Sequence, residues 1–142
     1  MVSTVDKLTM KRSIYILVLL TAALVKPVWA DSLKSDNPVL FDNLRLEVFD
    51  PYFEALQDGN VALLYELMPK LQKPEYQALL HDNTTYPNFL KEHYAGSMFT
   101  LVDVFVEDNE YQASVEIVWQ DGRVSTLPVR IDKFAADTKL HR

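Results

Sequence analysis

Asp103 is the residue with the most chemical potential in this chain. It stands among Phe99, Leu101, Phe105 and three valines, Val102, Val104 and Val106. A carboxylate in apolar surroundings has its pKa raised and can act as a general base. Tyr52, Tyr65, Tyr86 and Tyr94 are candidate hydroxyl companions. The competing reading places Asp103 on the solvent face of a strand, or pairs it with a nearby hydroxyl, and side-chain alternation favours that reading. A second set, Phe49, Tyr52, Phe53 and Tyr65, recurs along the helical segments. These rings either line a pocket for an apolar ligand or form ordinary core. A buried tyrosine needs a partner for its hydroxyl, so some of them could point into a wet cavity.

Other chemistries find little support. His81, His93 and His141 show no i, i+4 pair that would put two ligands on one helix face, and there is no cysteine. A zinc site would have to be assembled from scattered residues, so surface histidine is the favoured reading. Glu107-Asp108-Asn109-Glu110 is acidic, but it lacks the length and glycine of a calcium loop and reads as a solvated hairpin turn. Asn83-Thr84-Thr85 matches the glycosylation acceptor pattern, which is common by chance. Three glycines, Gly59, Gly96 and Gly122, are too few for phosphate-cradling loops, and no Gly-x-Ser-x-Gly occurs. No cofactor and no metal are implied.

Compartment comes from the N-terminus. Lys11 and Arg12 precede an uncharged run, Ile14–Val25, and Val28 and Ala30 are small residues at a cleavage-site spacing. Residues 1–30 therefore read as a secretory signal peptide cut after Ala30. The run is bounded by charge well short of the roughly 20 residues of a spanning helix, so no stable membrane anchor is expected. Met10-Lys11-Arg12 would itself make a natural start. Removing the signal takes four of fourteen basic residues and one of twenty acidic ones, leaving ten against nineteen and a net charge of −9. Such a surface disfavours nucleic acid and anionic membranes. An exported chain without disulfides must hold its fold by its core. The expected location is periplasmic or secreted.

The elements that must position these residues follow in order. Residues 31–36 read as a flexible leader. Asn37-Pro38 looks like an N-cap with proline at the first helical position, and Phe41, Leu44, Val48, Phe49, Tyr52, Phe53 and Leu56 follow at helical spacing. Pro51 predicts a kink or a fresh start at Asp50. Gly59 ends that helix and Asn60 caps the next, Val61–Met68. Short helices are expected at Glu75–Leu80 and Pro87–Tyr94. Met98–Phe134 then reads as a three-stranded meander. Tyr111, Ala113, Val115, Ile117 and Trp119 share one face, as do Leu127, Val129 and Ile131. A three-residue loop Gln120-Asp121-Gly122 pairs Val115 with Leu127, Ala113 with Val129 and Tyr111 with Ile131; a two-residue loop would set apolar against polar throughout. Pro128 marks the last strand as an edge. A four-residue loop Glu107–Glu110 puts Val102, Val104 and Val106 on the core face. Phe99, Leu101, Asp103 and Phe105 fall on the other side, where Phe99, Leu101 and Phe105 form a candidate interface for a homodimer. Residues 37–134 make a single domain and 135–142 a C-terminal tail.

The segment Tyr52-Phe53-Glu54-Ala55-Leu56-Gln57-Asp58-Gly59-Asn60, followed by Leu63-Leu64, resembles the opening helix pair of the NTF2-like superfamily, the cone folds of the SnoaL-like and ketosteroid-isomerase-like groups. The resemblance spans residues 50–134. Two departures stand out: the meander has few strands, and Phe134 is followed by Ala-Ala-Asp-Thr-Lys-Leu-His-Arg where such domains often carry a Trp-Lys-Ile-like ending. Either the edge is trimmed or the gene runs on. The resemblance implies a cone with an interior pocket, but little about chemistry, since one fold hosts many activities.

The expected architecture is therefore α+β: N-terminal helices packed on a curved antiparallel β-meander, preceded by a cleaved signal peptide. The favoured role is a non-catalytic module that binds a small apolar ligand or a protein, a homodimer partner included. The alternative is an isomerase- or cyclase-type enzyme with Asp103 as general base and a pocket tyrosine as oxyanion donor.

Overall fold

The computed structural model describes residues 31–140. The expected signal peptide and His141 lie outside them.

The helical half comes first. Residues 31–36, expected as a loose leader, include a short helix, α1 (Leu33–Asp36). Helix α2 (Pro38–Leu44) opens as anticipated, with the Asn37 side chain accepting the Leu40 N–H at 3.2 Å and Pro38 in the first turn. Ahead of Pro51 the chain neither breaks nor restarts. It widens into a π turn, Arg45–Phe49, and runs on into α3 (Asp50–Asp58) with Phe49 and Asp50 still right-handed helical. The Asp50 N–H reaches back to the Arg45 carbonyl. A wider turn takes up the missing proline N–H and the clash that a regular turn would suffer.

Gly59 ends α3 with a left-handed φ of 69°. A β-carbon there would also lie 2.4 Å from the Pro87 carbonyl oxygen. Glycine thus closes the helix and lets α3 approach α6. Asn60 caps α4 (Val61–Leu67), accepting the Leu63 N–H at 3.2 Å. A 3₁₀ turn, Lys70–Gln72, leads to α5 (Lys73–Asp82) and then α6 (Tyr86–His93). Both α5 and α6 carry proline in the first turn, where no intrahelical N–H is required.

The sheet is antiparallel, in the order β1 (Met98–Glu107), β2 (Glu110–Val118), β3 (Val124–Asp132). The β2–β3 register is the expected one: Val115 opposite Leu127, Ala113 opposite Val129, Tyr111 opposite Ile131. The turn residues 120–122 are closed by Trp119 N–H to Arg123 O at 2.8 Å, with Gly122 at φ 90°.

Two expectations need correcting. The sheet is neither curved nor closed into a cone. Three strands are too few to wrap round an interior, and Leu44, Val48, Phe49, Leu67 and Ala136 fill the space over the sheet as solid core. The face assignment in β1 also changes. Val106 opposes Tyr111 and Val104 opposes Ala113, but the register shifts between Leu101 and Asp103. This bulge at Val102 inverts the alternation beyond it. Leu101 and Phe99 therefore face the helices, opposite Val115 and Ile117, while Val102 is 42% exposed.

The residues expected as a tail form a helix, α7 (Lys133–Leu140), over most of their length. Asp132 caps it, its carboxylate accepting the Ala135 N–H at 3.0 Å, and the Lys133 N–H joins the β1–β2 turn at Asn109 O, 2.8 Å away. Ala136 is fully buried against the core. Both sheet edges are blunted. The edge of β1 is met by α1 and broken by the bulge, and β3 carries Pro128.

Candidate functional site

Asp103 opposes Ser114, on the side of the sheet away from the helical cover. One carboxylate oxygen accepts the Val104 N–H at 2.8 Å and the Lys34 N–H at 3.3 Å. The second bond fastens α1 to the edge strand. Of the three candidate interface residues, only Phe105 remains on that outer face, opposite Gln112, and it too is buried, 8% exposed. Phe99 and Leu101 do not present a free surface, because the bulge turns them inward.

The four rings expected around a pocket separate. Phe49 and Phe53 belong to the core over the sheet, where Phe53 stacks on Phe99 with centroids 4.8 Å apart and planes 7° from parallel. Tyr52 sits between the two halves, packed against both hydrophobic clusters and edge-on to Phe53 at 6.2 Å. Tyr65 lies in the second cluster, stacked against Tyr76 at 6.5 Å.

That second cluster is built from α3 to α6 and the end of β2. Its rings form a run of contacts. Tyr76 meets Tyr86 edge-on at 5.8 Å, Tyr86 stacks on Phe89 at 5.9 Å, and Phe89 stacks on His93 at 5.2 Å. His93 then meets Trp119 at 5.1 Å, and Trp119 stacks on Tyr94 at 5.7 Å. Five phenols gather within it, Tyr52, Tyr65, Tyr76, Tyr86 and Tyr94. Tyr52 feels the hydroxyls of Tyr94 and Tyr86, and Tyr76 feels those of Tyr52 and Tyr86. Burial pushes the Tyr94 phenol up to about 12 and raises Tyr52 and Tyr76 further. The phenols of Tyr52, Tyr76 and Tyr94 therefore stay neutral and protonated at ordinary pH.

Tyr76 is the member that stands out. It is 8% exposed, and its hydroxyl is fully enclosed without a hydrogen-bond partner. The Tyr86 phenol is near enough to hold back part of the pKa rise, yet the two hydroxyls do not meet in hydrogen-bond geometry. Close to the cluster, the buried Ser97 hydroxyl is also unpartnered, three residues on from Tyr94, whose carbonyl accepts the Ser97 N–H. The sequence offered Tyr52, Tyr65, Tyr86 and Tyr94 as hydroxyl candidates but not Tyr76. Its signal was there in Tyr76, Leu79 and Leu80, an i, i+3, i+4 stripe that sends the ring inward.

One more buried phenol has the opposite setting. Tyr111 donates to Asp137 at 2.6 Å, and the other Asp137 oxygen takes Lys133 Nζ at 2.8 Å. Lys133 also lies over the Tyr111 ring. Burial and the Asp137 carboxylate both raise this phenol's pKa. The group ties α7 to the sheet. On the outer face Arg130 clasps Glu110 through bonds of 2.7 and 2.8 Å, which fastens β3 to β2.

The remaining candidates disperse. His81 pairs with Asp82 at the surface, 3.3 Å away, while His93 belongs to the aromatic run. Among the described residues no group of three or more His, Asp or Glu could hold a metal ion, and no helix is long and apolar enough to cross a membrane. No family model, no curated protein and no solved structure matches this chain.

Proposed function

We propose that this protein is an exported binding domain that receives a small ligand in its helical layer, at the tyrosine cluster. The observation that carries this reading is the Tyr76 hydroxyl. An enclosed polar group without a partner costs roughly 1–3 kcal/mol, and folded proteins keep few of them. A donor held at that cost, among neutral phenols and apolar rings, has the composition of a ligand site: mostly apolar walls with a few polar groups that fix orientation. Native mass spectrometry of the purified protein tests it. A retained small mass that is released on unfolding and lost in Tyr76→Phe is the expected result. A bare chain that also shows no thermal shift with any member of a broad small-molecule library rejects it.

The isomerase or cyclase reading keeps one supporting observation. Neutral phenols lie close enough to influence one another, and such phenols can donate to a developing oxyanion. What it lacks is a base within reach, because Asp103 lies across the sheet from the phenols and is held by backbone N–H groups. Proton exchange at an enolisable carbon of a bound ligand, abolished by Asp103→Asn, would restore it; exchange that persists in that variant would remove Asp103 from any mechanism.

A further inference from the structure

We propose that Asp103 and α1 form a guard on the outer edge of β1, and that lifting it lets a second copy of this chain pair there, strand β1 against strand β1.

The hydrogen-bond alternation of the sheet shows which groups face that edge. Trp119 donates to the Arg123 carbonyl across the β2–β3 turn. Bonded and unbonded pairs alternate along an antiparallel ladder, so Ala113 and Tyr111 spend their backbone groups on β3. Val104 and Val106, opposite them on β1, therefore turn their backbone groups away from β2, towards the edge. The Val104 N–H is one of these edge donors, and the Asp103 carboxylate has taken it at 2.8 Å. The same oxygen accepts the Lys34 N–H at 3.3 Å, which holds α1 beside the edge.

The guarded strand is suited to pairing, and the guard is slight. Val104-Phe105-Val106 is β-branched and aromatic, the composition that makes a bare edge self-associate. Helix α1 has four residues, none of them buried. A helix so short does not persist alone. It stands by the Ser32 cap on the Ser35 N–H, by Leu33 packed against the core, and by Asp103. Segments held by so few contacts open at a small fraction of the cost of global unfolding.

The register favours a second copy as the occupant. A two-fold centred on Phe105 sets Val104 of one copy opposite Val106 of the other, so their edge-directed N–H and C=O groups exchange bonds. It also sets Asp103 opposite Glu107, and like charges directly opposite destabilise a strand pair. Asp103 thus opposes pairing in three ways: it occupies a donor, it holds α1 in place, and it repels the incoming strand.

The test is light scattering of the purified protein over a concentration series, with amide hydrogen exchange read at Val104 and Val106. The unaltered protein should stay monomeric. Asp103→Ala should self-associate about ten- to a hundredfold more tightly, with exchange at Val104 and Val106 slowing as concentration rises. Asp103→Asn keeps an acceptor for both N–H groups without the charge, and should stay close to the unaltered protein. Leu33→Asp lifts α1 and leaves β1 intact. It should associate too, but less tightly than Asp103→Ala, because the Val104 donor remains occupied.

A folded Asp103→Ala that remains monomeric overturns the proposal. Association that leaves exchange at Val104 and Val106 unchanged also overturns it, since the contact then lies elsewhere. An unaltered protein already paired through those amides shows that nothing is guarded. If Asp103→Asn associates as tightly as Asp103→Ala, charge alone keeps the copies apart and the clasp is overturned. Should Asp103→Ala fail to fold, Leu33→Asp decides: pairing through the same two amides upholds the guard, and a monomer removes it.

Discussion

Two buried phenols in this protein differ in one respect. Tyr111, 1% exposed, sits in the core over the sheet and gives its proton to Asp137 at 2.6 Å. Tyr76, 8% exposed, sits in the aromatic cluster of the helical layer and gives its proton to nothing. The same contrast runs through their surroundings. The sheet core mixes aliphatic side chains such as Leu44, Val48, Val104, Val115 and Ile131 with Phe41, Phe49 and Phe53, and its phenol, Tyr111, is tied off. The helical cluster is rich in aromatic rings, five of them phenols, and one of those hydroxyls is unsatisfied. A core whose only task is to hold the fold satisfies its polar atoms. Under the proposed reading, one half supplies stability and the other recognition.

Alkali should produce the largest effect, because it acts on both halves together. Unfolded phenols ionise near pH 10, whereas Tyr52, Tyr76, Tyr94 and Tyr111 ionise only above that when folded. The folded state then binds more protons than the unfolded one. Their contribution is whole below pH 10 and is lost as the pH climbs through the folded values, about 12 for Tyr94. Each phenol costs about 1.4 kcal/mol per pH unit across that window. The four together suffice to unfold a domain of ordinary stability. Absorbance at 295 nm and far-ultraviolet circular dichroism should change in one step; phenol ionisation well before loss of helix would show that these rings are not sealed.

Gly59→Ala tests whether the helical half is as tightly positioned as the sheet half. The left-handed φ of 69° and the 2.4 Å approach to the Pro87 carbonyl oxygen act together. The first costs about 1–2 kcal/mol for a residue with a β-carbon, and the crowding adds about 1–3 kcal/mol. A loss of roughly 2–5 kcal/mol in denaturant unfolding is expected. A loss below about 1 kcal/mol would mean that α3 and α6 slide apart freely and that the cluster is loose.

How much of this was legible before folding differs between the halves, and for physical reasons. The β2–β3 pairing was readable because β2 alternates strictly, so only one loop length puts Val115 opposite Leu127. β1 offers no such parity. Phe99, Leu101 and Phe105 on one count and Val102, Val104 and Val106 on the other are equally apolar, so nothing in the sequence marks the extra residue at Val102. The cone expected from the Tyr52–Asn60 resemblance required more strands than the meander supplies. Helix α7 was hidden because its stability is tertiary: the Asp132 cap, the burial of Ala136 and the Tyr111–Asp137 bond exist only once the sheet has formed. The helical caps at Asn37, Gly59 and Asn60 are local chemistry and were visible from the start. The convergence of Tyr52, Tyr76, Tyr86 and Tyr94 comes from three helices, α3, α5 and the two ends of α6, and depends on how close α3 can come to α6.

Tyr111→Phe should sharpen the contrast from the sheet side. It removes a hydrogen bond to a charged acceptor, an interaction of about 1.5–3 kcal/mol. Asp137 keeps its bond to Lys133, so the loss should fall toward the lower end of that range. Proteolysis or hydrogen exchange should locate the damage in α7, which that bond anchors. An unchanged unfolding midpoint would mean that the carboxylate is as well served by water, and that the two phenols are not opposites.

Tyr76→Phe is the smallest expected change and the one that most directly tests the comparison. In an ordinary core, taking a hydroxyl from a buried tyrosine removes a hydrogen bond and destabilises the protein. Here the hydroxyl has no bond to lose, and its removal also abolishes the cost of enclosing it. Stability without ligand should therefore stay level or rise by up to about 1 kcal/mol. The alkaline transition should move to slightly higher pH, because one phenol fewer resists ionisation. A destabilisation as large as that of Tyr111→Phe would show that a fixed water partners the Tyr76 hydroxyl. The two halves of the molecule would then be satisfied alike, and the case for a binding site in the helical layer would lose its foundation.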